Sequence, residues 1–192
     1  GWDRSVRLWS LPGGRLVDVL RGHGEVVGEL CFSPDGRRLY SASRDRSARA
    51  WRISSVTAGR QRADEGHAGG VSKVAFAPDG RTIASGGQDG AIRLWSRRSG
   101  RELAVLRGHE GAVHALLFLG TERLASGGHD GKLRIWSVPQ RRVLQVLHGH
   151  DGAIWAAARV PASTKIITAS GDRTLRLWDG KAGRLLRVFH AH

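Results

Sequence analysis

The sequence predicts an all-β chain assembled from repeated four-stranded antiparallel units, and three observations carry that prediction. Asp is followed six residues later by Trp five times, at Asp3/Trp9, Asp45/Trp51, Asp89/Trp95, Asp130/Trp136 and Asp172/Trp178. A histidine keeps the same step of about 40–45 residues, at His23, His67, His109, His150 and His192. Between these markers, short alternating apolar runs are separated by Pro-Asp-Gly and Gly-rich turns. Self-similarity at this period marks an array in which each unit buries its apolar face only against its neighbours.

Taken in order, residues 1–20 supply only two strands, one with Val6 and Leu8 and one with Val17, Val19 and Leu20, because no Gly-His precedes Asp3. The unit at 22–63 opens with an apolar strand holding Cys31 and Phe32. It closes weakly: from Ser54 to Glu65 the sole sizeable apolar residue is Val56, so its fourth strand should be short or poorly formed. The unit at 66–106 shows all four strands plainly. Val71, Val74 and Phe76 alternate until Ala77-Pro78-Asp79-Gly80, a turn by chemistry because Pro presets one backbone angle and Gly accepts the angles needed to complete it. Thr82 to Ser85 forms the second strand and ends in Gly86-Gly87-Gln88-Asp89-Gly90. The third, Ala91 to Trp95, sets Ile92 and Leu94 on one face and Arg93 and Trp95 on the other. Ser99-Gly100-Arg101 turns the chain into Glu102 to Leu106, and Gly108-His109 starts the next unit. Units 108–147 and 149–189 repeat this in register, giving eighteen strands. Four antiparallel strands with short connections describe a propeller blade, so the expected architecture is one domain over 1–192, a partial β-propeller of about four and a half blades.

These residues closely resemble the WD40 repeat family over the whole chain. The carrying motifs are Gly22-His23, Gly66-His67, Gly108-His109 and Gly149-His150, each followed within its unit by the Trp of Trp51-Arg52, Trp95-Ser96, Trp136-Ser137 or Trp178-Asp179. Of these four pairs, Trp178-Asp179 alone spells the WD dipeptide. Such propellers are usually seven-bladed, which needs about 300 residues at this period. The resemblance therefore implies a segment of a longer protein, and the sequence contains no Met, even at position 1.

The resemblance also assigns residues. Each blade is expected to hold a buried hydrogen-bonded chain: His23, Ser41, Asp45 and Trp51; His67, Ser85, Asp89 and Trp95; His109, Ser126, Asp130 and Trp136; His150, Thr168, Asp172 and Trp178. Buried polar groups are costly unless satisfied, and a satisfied network fixes one packing. A partner-binding face is expected from two positions per blade. Gly28, Ser72, His114 and Trp155 follow the first apolar residue of the opening strand, and Arg44, Gln88, His129 and Gly171 precede the Asp. Trp155 stands apart as a large aromatic among small or polar counterparts; it either anchors a partner or plugs the ring's central channel.

Chemistry is not expected. Asp, His and Ser are the residue types of a catalytic triad, but four copies at fixed spacing with Trp as terminal donor point to structure, and no Gly-x-Ser-x-Gly is present. His148-Gly149-His150 and His190-Ala191-His192 lack the carboxylates or thiols of a metal centre. Ser85 to Gly90 lacks the following Lys and helix of a phosphate loop. No cofactor, metal or small-molecule substrate is therefore expected. Cys31 is alone, which excludes an internal disulfide and suggests a reducing compartment; no run approaches the ~18 apolar residues of a membrane span, so the cytoplasm is the expected location.

Thirty-one Lys and Arg against 17 Asp and Glu give +14. The lysines are Lys73, Lys132, Lys165 and Lys181, so arginine supplies the rest. Arg7, Arg49, Arg93, Arg134 and Arg176 each lie two residues before the Trp, which suggests charge distributed around the ring for packing and solubility. The resulting expectation is a non-catalytic scaffold for other proteins. Two alternatives remain: a basic nucleic-acid-binding propeller, and a regulatory propeller segment attached to a bacterial kinase or nucleotide triphosphatase.

Overall fold

A computed structural model describes residues 1–53 and 62–190, with the backbone alone for 62–65. Among the described residues eighteen strands form five antiparallel sheets with neighbours in chain order. A two-stranded sheet pairs β1 (Val6–Trp9) with β2 (Leu16–Leu20). The first blade contains β3 (Val27–Phe32), β4 (Arg38–Ser43), β5 (Ser47–Arg52) and β6 (Arg62–Glu65). The second contains β7 (Val71–Phe76), β8 (Thr82–Gly87), β9 (Ile92–Ser96) and β10 (Glu102–Leu106). The third contains β11 (Val113–Phe118), β12 (Arg123–Gly128), β13 (Leu133–Ser137) and β14 (Arg142–Leu147). The fourth contains β15 (Ile154–Arg159), β16 (Lys165–Ser170), β17 (Thr174–Asp179) and β18 (Arg184–His190). At four residues β6 is the shortest fourth strand of the full blades; the irregular stretch before it, from Ser54 to Gln61, and His192 lie outside the described residues.

The core lies between sheets rather than within any one of them. Ile92 and Leu94 of the second blade pack with Val113, Leu116, Leu124 and Trp136 of the third. Leu133 and Ile135, on the third blade's other face, pack with Ile154, Ile166 and Trp178 of the fourth. Tyr40 and Ala42 meet Val71, Val74 and Trp95, and Val6 and Leu20 meet Leu39 and Trp51. Each motif Trp of a full blade thus faces the preceding sheet. Period-two alternation creates two apolar faces per blade, and stacking covers both.

Because each sheet is a meander, its first-to-second and third-to-fourth connections lie at one end, and its second-to-third turn and the connection to the next sheet at the other. At the latter end Gly90 (φ 73°) and Gly131 (φ 68°) follow the motif Asp. A Cβ at either would come within 2.8 Å of a carbonyl oxygen in the next blade's entry loop, so only glycine permits this approach.

Cys31 is half-buried on β3. Burial first, and then the Glu29 carboxylate, push its thiol up to about 12. Cys31 is expected to resist iodoacetamide near pH 8 (about a quarter ionised for a free thiol) until the chain is unfolded. Mass spectrometry of the alkylated protein checks this, and rapid native labelling would contradict it.

Candidate functional site

The second-to-third turn of each blade is stapled to the loop entering that blade by the motif Asp. Backbone amides of Gly24, Ala68, Glu110 and Asp151, just after the histidines, donate to Asp45, Asp89, Asp130 and Asp172 at 2.9–3.2 Å. Amides two residues after each Asp donate to the same carboxylates. His Nδ1 lies 2.7–3.0 Å from the Asp in all four blades. His Nε2 lies 2.6–2.9 Å from the hydroxyl of Ser41, Ser85, Ser126 or Thr168. The indole N–H of Trp51, Trp95, Trp136 or Trp178 donates to that hydroxyl at 2.7–2.8 Å.

Burial would raise each Asp, yet the hydrogen bonds prevail: those from His109, the Glu110 amide and Arg134 hold Asp130 at about 2. Burial dominates the histidines and lowers all four, with the paired Asp opposing it. The hydroxyl of each chain is buried and already engaged by His and Trp, so no substrate carbonyl can reach it as a triad requires. The third blade adds Arg134, whose Nη1 lies 2.6 Å from Asp130 and 2.8 Å from His109. The fifth Asp/Trp pair behaves differently. Asp3 binds Ser5 and Arg7, but Trp9 is 57% exposed and has no such chain.

The expected face residues are placed by two backbone features. In every full blade the first strand carries a β-bulge one residue in, and Gly28, Ser72, His114 and Trp155 are the residues left out of the pairing. A bulge re-aims its side chain away from the regular pleat. Opposite, the amides of Arg44, Gln88, His129 and Gly171 donate to Val26, Gly70, Ala112 and Ala153 at 2.8–3.0 Å. Each bulge residue is thereby set beside its turn partner.

The pairs meet most closely between the third and fourth blades. The His114 and His129 rings are 6.1 Å apart, and Trp155 stacks obliquely on His114 at 4.5 Å, still 51% exposed. The indole nitrogen sits over Gly171, where a Cβ would come within 3.1 Å. Burial, then His129 and Lys73, lower the His114 pKa. Lys73 bridges to Glu29 of the first blade at 2.8 Å. Sequence reasoning missed Lys73, Glu29 and the stacking; the available signal was that both charged residues sit one step past the bulge position in consecutive repeats. Among the described residues no group of three His, Cys, Asp or Glu can hold a metal ion, and no helix is long and apolar enough to cross a membrane. His192, of the second candidate histidine pair, lies outside the described residues.

Comparison with known proteins fits this geometry. The family model "WD domain, G-beta repeat" (WD40) matches residues 14–52, 60–96, 100–137 and 141–179. Each match runs from the outermost strand of one sheet to the Trp strand of the next, so one sequence repeat ties two sheets together. The chain is 44% identical over 52 residues to a periodic tryptophan protein 2 homolog of Neurospora crassa, covering 27% of this chain and 6% of that protein. It is 40% identical over 52 residues to nuclear distribution protein nudF of Emericella nidulans, covering 27% and 12%. The solved structure of U3-55K superposes with a TM-score of 0.82 at 30% identity, covering 90% of this chain and 54% of that one. The chain thus spans about half of that solved chain and a small part of the curated relatives. With its repeats matched over more than half its length, the chain belongs to the WD40 repeat family.

Proposed function

We propose that this chain is a cytoplasmic, non-catalytic scaffold that binds other proteins through the bulge face, with Trp155, His114 and His129 as the centre of contact. The observation that carries this reading is a half-exposed Trp held against a histidine by a bulge, one position per blade from its polar counterparts. Fixed, partly exposed aromatics dominate interface energetics because they bury large area at little entropic cost. Gly28, Ser72 and Gly171 leave room beside them, and Arg44 and Gln88 supply polar contacts along the same rim. WD40 repeats generally serve as interaction platforms, and fold alone names no partner.

Trp155→Ala should weaken partner binding by about 2 kcal/mol or more, roughly thirtyfold, without lowering thermal stability comparably. A photo-crosslinker placed at Gly28 identifies the partner, and affinities of the parent and the variant are then compared. Arg141→Ala, at the opposite end, serves as control. Equal affinity of the Trp155 variant and the parent would sink this face as the binding site.

A further inference from the structure

The opposite end of the blades differs in charge. The connections there and the strand ends beside them carry Arg37, Arg38, Arg81, Arg97, Arg98 and Arg101 in the first two full blades, against Asp35, Asp79 and Glu102. In the next two they carry Arg123, Arg141, Arg142, Arg159, Lys165 and Lys181, followed by Arg184, against Glu122 and Asp179. On the bulge face, cations such as Arg44, Arg46, Lys132 and Arg173 are balanced by Glu25, Glu110, Asp151 and the four motif Asp residues. The arginines preceding the Trp contribute little free field, since Arg7, Arg93, Arg134 and Arg176 form ion pairs within their own sheets. The excess charge is therefore gathered at one end, where it recurs from blade to blade.

Among the described residues at that end, Arg97 is the only cation in an ion pair, 2.6 Å from Asp35 of the preceding blade. Of the other acids there, Asp79 accepts the Arg81 amide, Asp179 accepts those of Lys181 and Ala182, and Glu102 pairs with Arg93. Six of the other cations, together with Arg97, line two open clefts, each at a junction of consecutive blades. One, of about 730 Å³, places Arg38 opposite Arg81, Arg97 and Arg98. The other, of about 230 Å³, places Arg123 opposite Arg159 and Lys181, with Thr164 beside them. Even the smaller has the room of several waters at about 30 Å³ each, enough for a hydrated phosphate group.

We infer that this end binds the phosphodiester backbone of nucleic acid without regard to sequence, seating phosphates in the two inter-blade clefts. The guanidinium fork matches phosphate oxygens two at a time and is weakly hydrated, so arginine-lined recesses suit this group. A recess admits phosphates projecting from a narrow chain, whereas a flat bilayer meets only its rim. Among the described residues no aromatic side chain lines either cleft, which removes the stacking platform that would hold or discriminate bases. A phosphodiester also carries one charge per unit, in keeping with cations that recur blade after blade.

Fluorescence anisotropy of the 192-residue chain with random-sequence single-stranded oligonucleotides, across a salt series, tests the inference. Six cations not in ion pairs line the clefts, so log affinity should fall against log salt with a slope of about −4, at roughly 0.7 per phosphate contact. Arg81→Gln with Arg98→Gln should flatten the slope by about 1.4, and so should Arg123→Gln with Lys181→Gln. Arg44→Gln with Arg46→Gln, on the bulge face, should leave it unchanged. All are surface changes, and thermal melting confirms folding. Equal losses from both faces, competition by polyglutamate at matched charge, or tighter binding to anionic vesicles than to oligonucleotide would each overturn the inference.

Discussion

Asp130→Ala is expected to destabilise the protein by about 3–5 kcal/mol, well beyond the same change at Asp89, because it strands a buried arginine. The Asp130 and Arg134 side chains are 3% and 7% exposed and lie 2.6 Å apart. Removing the carboxylate leaves the guanidinium without its counter-charge and also frees His109 and two turn amides. In the second blade Arg93 pairs with Glu102 instead, so Asp89→Ala removes hydrogen bonds but strands no buried cation and should cost about 1–3 kcal/mol. Asp172, with Arg176 at 3.7 Å, falls between them. Urea midpoints of the three variants give the order, and hydrogen exchange should show the third blade losing protection first. Asp130→Ala with Arg134→Leu should recover much of the loss, since no uncompensated charge remains. Equal costs at Asp130 and Asp89 would show that the buried pair contributes nothing beyond its hydrogen bonds.

Such differences mark where sequence reading stops. The fold was legible because the signals are local and repeated: alternation in Ala91 to Trp95 assigns Ile92 and Trp95 to opposite faces, and Ala77-Pro78-Asp79-Gly80 fixes a turn by its own backbone preferences. The hydrogen-bonded chains could be named by register, but their inequality could not. Arg7, Arg93, Arg134 and Arg176 occupy one repeat position, yet Arg93 turns to Glu102 while the other three pair with the motif Asp, closely at Arg134 and at 3.7 Å at Arg176. Bulges were hidden because a bulge is a relation between two strands, and His114 meets Trp155 only after two blades have stacked. Alternation does not by itself decide burial: Leu30 and Phe32 of β3 are 44% and 56% exposed. Charge was misleading in another way: counted along the chain it looks uniform, and folding sorts it by end, since alternate connections of a meander lie on opposite faces.

Stability should fall in acid in two stages, the first beginning well above the carboxylate range. His23, His67, His109 and His150 are held below their ordinary pKa chiefly by burial, against the pull of their aspartates; Arg49, Arg93, Arg134 and Arg176 lower them further. In the unfolded chain they titrate near about 6.5. Below that pH the unfolded form takes up protons that the folded form refuses, so stability is lost as pH falls and recovers as it rises. Four copies act in the same direction. The aspartates add a second stage: they ionise near about 3.9 when unfolded, whereas hydrogen bonds hold Asp130 at about 2 and lower Asp45, Asp89 and Asp172 as well. Their contribution is complete above the unfolded value and disappears as pH drops through the folded one. Urea midpoints followed by the fluorescence of the buried motif tryptophans, from about pH 8 down to about pH 4, should begin to decline near about 6.5. His109→Gln should remove one of the four contributions and soften that first stage while lowering the plateau. A midpoint flat between about pH 7 and pH 5 would mean that the histidines bind protons equally in both states, and burial would then not be what governs them.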